Sequence, residues 1–341
     1  MSKLILSLDG GGIRGAATTQ FLSHVEAELS KRANKTLRDC VDFYAGTSTG
    51  SIIALALATT RLTMEDINQL YSVENAKHIF SENRGWFEID GVNAPKYSAE
   101  GKRTVLERNF ADAKLQNVEP NKHVLCVTYG IEKRRPYVIK TTKPAHCQLL
   151  SADVADASSA APTFFPTKAM RLEDNDFDSW LIDGGVIANN PTMCAIAEAR
   201  RCWSDSRLSD LRVISVGTGF RTRKLNGPES QHWGALQWMT KGNIIDILSD
   251  EMVVGYQAIT MVENGKYIRV NSQLTHQPGL ANPADDAMDD ISAGNIAKLK
   301  QMGDFWYARY GQAVVEMLLD EYTGNSLDRI DVKTGLPIVF G

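Results

Sequence analysis

A serine sits at the centre of five small residues, Gly46-Thr47-Ser48-Thr49-Gly50, just after the apolar run Val41 to Ala45 and just before the stretch SIIALALA. A bare strand-to-helix connection needs one or two flexible residues. It does not need glycines spaced two positions to either side of a serine. Gly-x-Ser-x-Gly between strand and helix is the pattern of a nucleophile elbow, where a side chain at either glycine would collide with neighbouring backbone. Such a turn lifts the Ser48 hydroxyl clear of a sheet and points the free N–H groups of the following helix at it. The five-residue pattern also arises by chance, so its placement carries the reading. That placement commits the chain to strands followed by helices.

The remaining pattern agrees. Leu4 to Leu8 reads as a short buried strand, followed by a helical pattern over Ala16 to Lys31 with Phe21, Leu22, Val25 and Leu29 on one face. Thr63 and Asp66 have the spacing of a capping box. HVLCVTYG and RPYVIKT are strand-like runs joined by a turn; WLID (180–183), RVISVGTG and KYIRVN are further strands. Pro191 opens a helix, and helices are expected near 243–263 and 304–322. Residues 81–101, with glycines, prolines, Trp86 and Phe87, read as a long loop. The expected fold is a three-layer α/β sandwich with a central, mostly parallel sheet and a helical C-terminal elaboration. Residues 1–220 form its catalytic core; 221–341 complete the same domain and leave room for regulation.

Two exclusions follow from composition. A formal charge of -4 and a pI near 5.9 give no reason to expect a nucleic-acid polymer or an anionic surface as an electrostatic partner. The 5 cysteines include no C-x-x-C pair, so neither a zinc site nor a disulfide framework is indicated. The apolar N-terminal run ends at Asp9, too early for a signal peptide, and no run reaches membrane-spanning length. A cytoplasmic protein is expected.

A second glycine turn, Asp9-Gly10-Gly11-Gly12-Ile13-Arg14-Gly15, also follows a strand and opens a helix. Gly10-x-Gly12-x-x-Gly15 matches the dinucleotide fingerprint, which requires an acidic residue at the end of the next strand. Glu26 and Glu28 fall inside the helix instead. The competing reading is an oxyanion hole, with glycine N–H groups approaching a reacting carbonyl; one such donor is typically worth about 2.7–4 kcal/mol in the transition state. Arg14 is either a phosphate-directed charge or a surface arginine at a helix start.

A serine hydroxyl needs a proton acceptor. None of the 6 histidines stands in a strand-end, glycine-flanked context; His232 comes nearest. Asp183 does: it ends an apolar strand and precedes Gly184-Gly185 and Asn189-Asn190-Pro191. An aspartate opening a D-G turn is common. A Ser-His-Asp esterase for small soluble esters therefore stays open beside a histidine-free pair.

Asp9-Gly-Gly-Gly-Ile-Arg-Gly15, Gly46-Thr-Ser-Thr-Gly50 and Asp183-Gly-Gly185, in that order, resemble the patatin-like phospholipases. ASSAAPTFFP (157–166), NNP (189–191) and SVGTG (215–219) are similar to that family's pattern, and YIRVN with DDAMDDIS resembles its downstream region. The resemblance implies a patatin-like core and a Ser-Asp dyad, with Ser48 as nucleophile and Asp183 as general base. Gly10, Gly11 and Gly12 would form the oxyanion hole, with Arg14, Gly15, Gly46, Gly50, Gly184 and Gly185 supporting the turns. The substrate would be an acyl ester of a membrane phospholipid or neutral lipid, with no cofactor and no metal. The protein would be peripheral at the inner membrane when active. A carboxylate has about 3.5 kcal/mol less proton affinity than an imidazole, so burial must raise Asp183 for this to work.

Compact bacterial proteins with this core resemble the patatin phospholipases of antiphage systems, which cyclic di- or trinucleotides switch on. Arg221, Arg223 and Lys224, or Lys266 and Arg269, would meet such phosphates; solvated positive surface is the plainer reading. Trp233 and Trp238, with Trp86 and Phe87, suit either a lipid interface and lid or ordinary packing. DDAMDDIS (285–292) lacks the spacing of a calcium loop and reads as a solvated helix start.

Overall fold

The first strand of the chain occupies the middle of its sheet. The computed structural model describes residues 2–340 apart from 84–93, 173–177, 206, 223, 243–246 and 248–249. Its strands are β1 (Lys3–Leu8), β2 (Phe43–Thr47), β3 (His123–Gly130), β4 (Arg135–Lys140), β5 (Lys168–Met170) and β6 (Ser179–Asp183). β7 (Leu211–Val216), β8 (Tyr267–Val270), β9 (Leu327–Asp331) and β10 (Leu336–Val339) follow. They form one 10-stranded sheet in the order β10-β9-β8-β7-β1-β2-β3-β6-β5, with β4 on β3. The run from β9 to β3 is parallel; β3–β4, β3–β6, β5–β6 and β9–β10 are antiparallel. The sheet is therefore mixed around a parallel centre.

The helices that frame the site are α1 (Gly15–Ala33), α2 (Thr49–Thr59), α3 (Ala99–Phe110), α4 (Ser151–Ser158), α5 (Thr192–Cys202), α6 (Met252–Met261) and α7 (Ala293–Leu318). Alternation along each strand feeds two cores. Leu4, Leu6 and Leu8 of β1 join one, with Phe21, Ile53, Val154 and Trp306 from α1, α2, α4 and α7. Ile5 joins the other, with Ala195, Ile196, Ala258 and Ile259 from α5 and α6. Helices on both faces make the expected three layers.

The ends of β2 and β6 meet because of how β3 is shared. β2 runs along the first part of one edge, from Phe43↔His123 to Thr47↔Val127. β4 hairpins along the other edge, from Gly130↔Arg135 to Leu125↔Lys140. The rest of the β2 edge, Thr128 to Gly130, is taken by β6, which arrives antiparallel with Asp183 opposite Thr128. Two strands on one edge thus face each other C-terminus to C-terminus. Their next residues converge.

Several expectations need correction. The 81–101 loop ends early, because Ser98 accepts from the Glu100 N–H at 3.2 Å and starts α3 at Ala99. Trp86 and Phe87 lie outside the described residues. The helix expected at 304–322 begins at Ala293, capped by Ser292, and ends at Leu318. Of the helix expected at 243–263, Met252–Met261 is the described part. β9 and β10 are strands beyond those expected from the sequence. The Thr63–Asp66 capping box is present, with reciprocal bonds of 2.8 and 3.1 Å.

Candidate active site

Ser48 joins β2 to α2 with φ 54° and ψ -124°, a left-handed conformation unfavourable for a residue with a side chain. The glycines around it have no alternative. A Cβ at Gly46 would lie 2.4 Å from the Gly50 carbonyl oxygen, and one at Gly50 would lie 2.1 Å from the Leu8 carbonyl oxygen. Both collisions are with backbone, which cannot move aside. The Ser48 N–H donates to Ser158 Oγ at 3.0 Å, and that hydroxyl donates to the Val127 carbonyl at 2.7 Å. The elbow is thereby tied to the end of α4 and to β3.

The Ser48 hydroxyl donates to Asp183 Oδ2 at 2.6 Å, with both residues buried. The other carboxylate oxygen accepts the Gly185 N–H at 2.7 Å. Asp183 itself is held by its own N–H on the Ala160 carbonyl, 2.9 Å, and by the Gly184 N–H on the Ser158 carbonyl, 3.3 Å. Burial raises its pKa from 3.8 to about 6, opposed by the Ser48 hydroxyl, the Gly185 amide and the Lys102 ammonium. Thr47 Oγ1 donates to the Ala188 carbonyl at 2.8 Å, joining the elbow to the turn after Asp183.

The first glycine turn closes over the serine. A Cβ at Gly10 would stand 3.1 Å from Ser48 Cβ. The turn is pinned by the Gly10 N–H on the Asn189 carbonyl, 3.1 Å, and by Thr218 Oγ1 on the Gly10 carbonyl, 2.8 Å. Gly10 therefore supplies room for the serine rather than a free donor, which corrects its place in the expected oxyanion hole. The N–H groups of Gly11 and Gly12 have no partner among the described residues. Gly12 takes φ +58°, and the Ile13 N–H donates to the Met288 carbonyl at 2.9 Å. Arg14 turns back, its Nε donating to the Gly11 carbonyl at 3.3 Å.

Beneath this turn lies an ion triad built on a buried Arg269–Asp9 pair, with Glu251 half-buried at its edge. Arg269 donates to both Asp9 oxygens, at 3.0 and 2.5 Å, and to Glu251 at 2.6 Å. Burial pushes the Asp9 carboxyl up, and the guanidinium opposes it. Arg269 is 1% exposed, so it neither meets a phosphate nor forms solvated surface, which corrects both expectations for it. Lys266 pairs with Glu263 at 3.2 Å, and Arg221 stands 3.6 Å from Asp286. Lys224 is exposed, and Arg223 lies outside the described residues. The DDAMDDIS segment is more than a solvated helix start: Asp289 accepts from Lys96 and, at 2.7 Å, from the Tyr97 hydroxyl, while Met288 seats the glycine turn.

Among the described residues, no histidine hydrogen-bonds Ser48 or Asp183. His24 pairs with Asp304 at 2.7 Å, and His146 accepts from the Lys140 N–H at 3.1 Å. Trp233 and Trp238 pack edge to face at 5.3 Å. All 5 cysteines are free thiols, and no group of three metal-ligating side chains occurs among the described residues. Sequence reasoning missed Ser158 as a support of the pair and Lys102 as the buried cation on the turn that holds Ser158. Ser158 lies within the ASSAAPTFFP motif, which gives it no role of its own; Lys102 is a lone lysine with no local signature.

A family model described as "Patatin-like phospholipase" matches residues 6–196. Patatin-like protein 2 of Oryza sativa subsp. indica is 30% identical, over 97% of this chain and 86% of its own length. Patatin-like protein 2 of Arabidopsis thaliana is 32% identical, over 72% and 68%. Among solved structures, VipD from Legionella pneumophila is similar over 95% of this chain and 68% of its own, at 13% identity and a TM-score of 0.45.

Proposed function

The chain belongs to the patatin-like phospholipase family, and from that premise we propose that it hydrolyses acyl esters of glycerophospholipids with Ser48 and Asp183 as its dyad. The 2.6 Å bond from the Ser48 hydroxyl to a buried carboxylate carries this reading. Asp183 accepts the hydroxyl proton as Ser48 Oγ attacks the acyl carbonyl. The Gly11 and Gly12 N–H groups receive the developing oxyanion, and the positive end of α2 lies beside it. Protonated Asp183 then returns its proton to the departing lysophospholipid oxygen, leaving an acyl-serine. Water, deprotonated by the same carboxylate, releases the fatty acid and regenerates Ser48.

Burial answers the weakness of a carboxylate base. With its pKa near 6, Asp183 stands close to an ordinary imidazole in proton affinity while remaining ionised at neutral pH. A histidine-based triad has no such geometric support among the described residues. In this reading lipid contact falls to Leu236, Met239, Val253 and Tyr256, which are 70%, 65%, 64% and 68% exposed. No helix among the described residues is long and apolar enough to cross a membrane.

The test is fatty-acid release from phosphatidylcholine vesicles by wild type, Ser48→Ala and Asp183→Asn. Both variants are expected to lose at least ~10³-fold in kcat. Retained turnover in either, or an equal loss in one folded histidine variant, overturns the dyad. Leu236→Glu with Met239→Glu should slow vesicle hydrolysis and spare a soluble ester. Repeating the assay with cyclic di- and trinucleotides tests activation: a rise in rate would join the chain to the nucleotide-switched members it resembles.

A further inference from the structure

Lys102 is a lysine in a place where a lysine is expensive. Its side chain on α3 is 3% exposed, and its ammonium lies 2.9 Å from Asp156 Oδ1. It donates to the Asp156 carbonyl at 3.2 Å, the Ser159 carbonyl at 3.0 Å and Ser159 Oγ at 3.3 Å, with the Phe165 ring centroid 4.4 Å away. A buried ion is tolerated only when it is paired and hydrogen-bonded, and an apolar side chain would fill the same space at lower cost. The carbonyls it binds belong to the last turn of α4 and the residue after it, the negative end of a helix.

That same turn seats both reacting groups. Ser158 Oγ receives the Ser48 N–H, the Ser158 carbonyl receives the Gly184 N–H, and the Ala160 carbonyl receives the Asp183 N–H. The charges are also arranged to leave Asp183 the odd anion. Lys168 stands 3.3 Å from Asp156 and 2.7 Å from Asp153, so two lysines face two aspartates before Asp183 is counted. The groups that act on Lys102 are Asp156, Asp183 and Lys168; the charged group acting on Asp183 is Lys102.

We propose that Lys102 is a positioning residue for the Ser48–Asp183 pair: it fixes the 156–160 turn that seats both groups and supplies the buried positive charge that keeps Asp183 ready to accept a proton. The inference rests on Asp183 being the base. Loss of the ammonium would raise the proton affinity of Asp183 and move the acidic limb of the rate profile to higher pH.

The experiment measures kcat and KM for p-nitrophenyl butyrate from pH 4.5 to 9 with wild type, Lys102→Gln, Lys102→Arg, Asp156→Asn and Asp183→Asn. Glutamine keeps a donor for the carbonyls and removes the charge. Lys102→Gln should move the kcat midpoint to higher pH by at least about 0.3 pH unit, with KM changed less than about threefold. Lys102→Arg should hold the midpoint. Asp156→Asn leaves Asp183 as the ammonium's nearest anion and should move the midpoint down; it decides the matter if the glutamine variant does not fold. A lower plateau with an unmoved midpoint overturns the proposal, as does a shift in the same direction for Lys102→Gln and Asp156→Asn. Turnover by Asp183→Asn would instead bring down the base assignment itself.

Discussion

Replacing Asp183 with asparagine should make the protein more stable at neutral pH while abolishing its chemistry. Asparagine keeps an oxygen for the Gly185 N–H and a polar atom facing Ser48 Oγ, so the geometry survives. What disappears is an ionised carboxylate held away from water. Burial raises that carboxyl from 3.8 to about 6, roughly two pH units at about 1.36 kcal/mol each, or about 3 kcal/mol. The sign follows from linkage. The folded state holds the proton more tightly than the unfolded chain, so this stability is present in full below about pH 3.8. It is lost as pH rises through about 6. Above that pH the wild type bears the whole penalty and the variant none of it. For 341 residues the unfolding entropy is about 0.7 kcal/mol per degree, so Tm should rise by about 4 °C at pH 8. At pH 5 the gain should be about half as large. Thermal melts of both proteins across this range, followed by circular dichroism, check the prediction. Equal melting temperatures at pH 8, or an offset that does not grow with pH, would refute the claim that Asp183 is ionised at a cost.

Three further outcomes follow from the same geometry. The acidic limb of kcat/KM should fall near pH 6, where Asp183 gains its proton, and alanine at each of His24, His78, His123, His146, His232 and His276 should leave that limb in place. Gly50→Ala drives a Cβ to 2.1 Å from the Leu8 carbonyl oxygen; urea titration should show a loss of about 3 kcal/mol, and the nucleophile should no longer react with an organophosphorus probe. Arg269→Met strands the buried Asp9 and the half-buried Glu251 without their cation, which should cost about 3 kcal/mol by urea unfolding.

The parts of the molecule that were legible in the sequence are those whose cause is local. Gly46 and Gly50 are required by their own turn and by the strand beside it, so their spacing announces the elbow. Apolar periodicity marked β1, α1 and the β3–β4 hairpin for the same reason. The direction of β6 was not legible, since WLID reads alike whichever edge it joins; only the short free edge of β3 decides it. Arg269 looked like surface because a lone arginine carries no sign of the two carboxylates that neutralise it, one far upstream in the chain. Lys102 and Ser158 act through contacts with residues distant in sequence. α7 begins well before 304 although Gly294 and Asn295 are poor helix formers, because the Ser292 cap and the packing against α1 outweigh them.

The central position of β1 has a consequence for synthesis on the ribosome. Its six residues are matched, one for one, with Leu211 to Val216. The match to the family model ends at residue 196. A nascent chain with Ser48 and Asp183 already translated would still expose one flank of this buried central strand, open to association with other chains. Hydrolytic competence must therefore await a segment that contributes no reacting atom, and so distant a pairing makes for slow maturation.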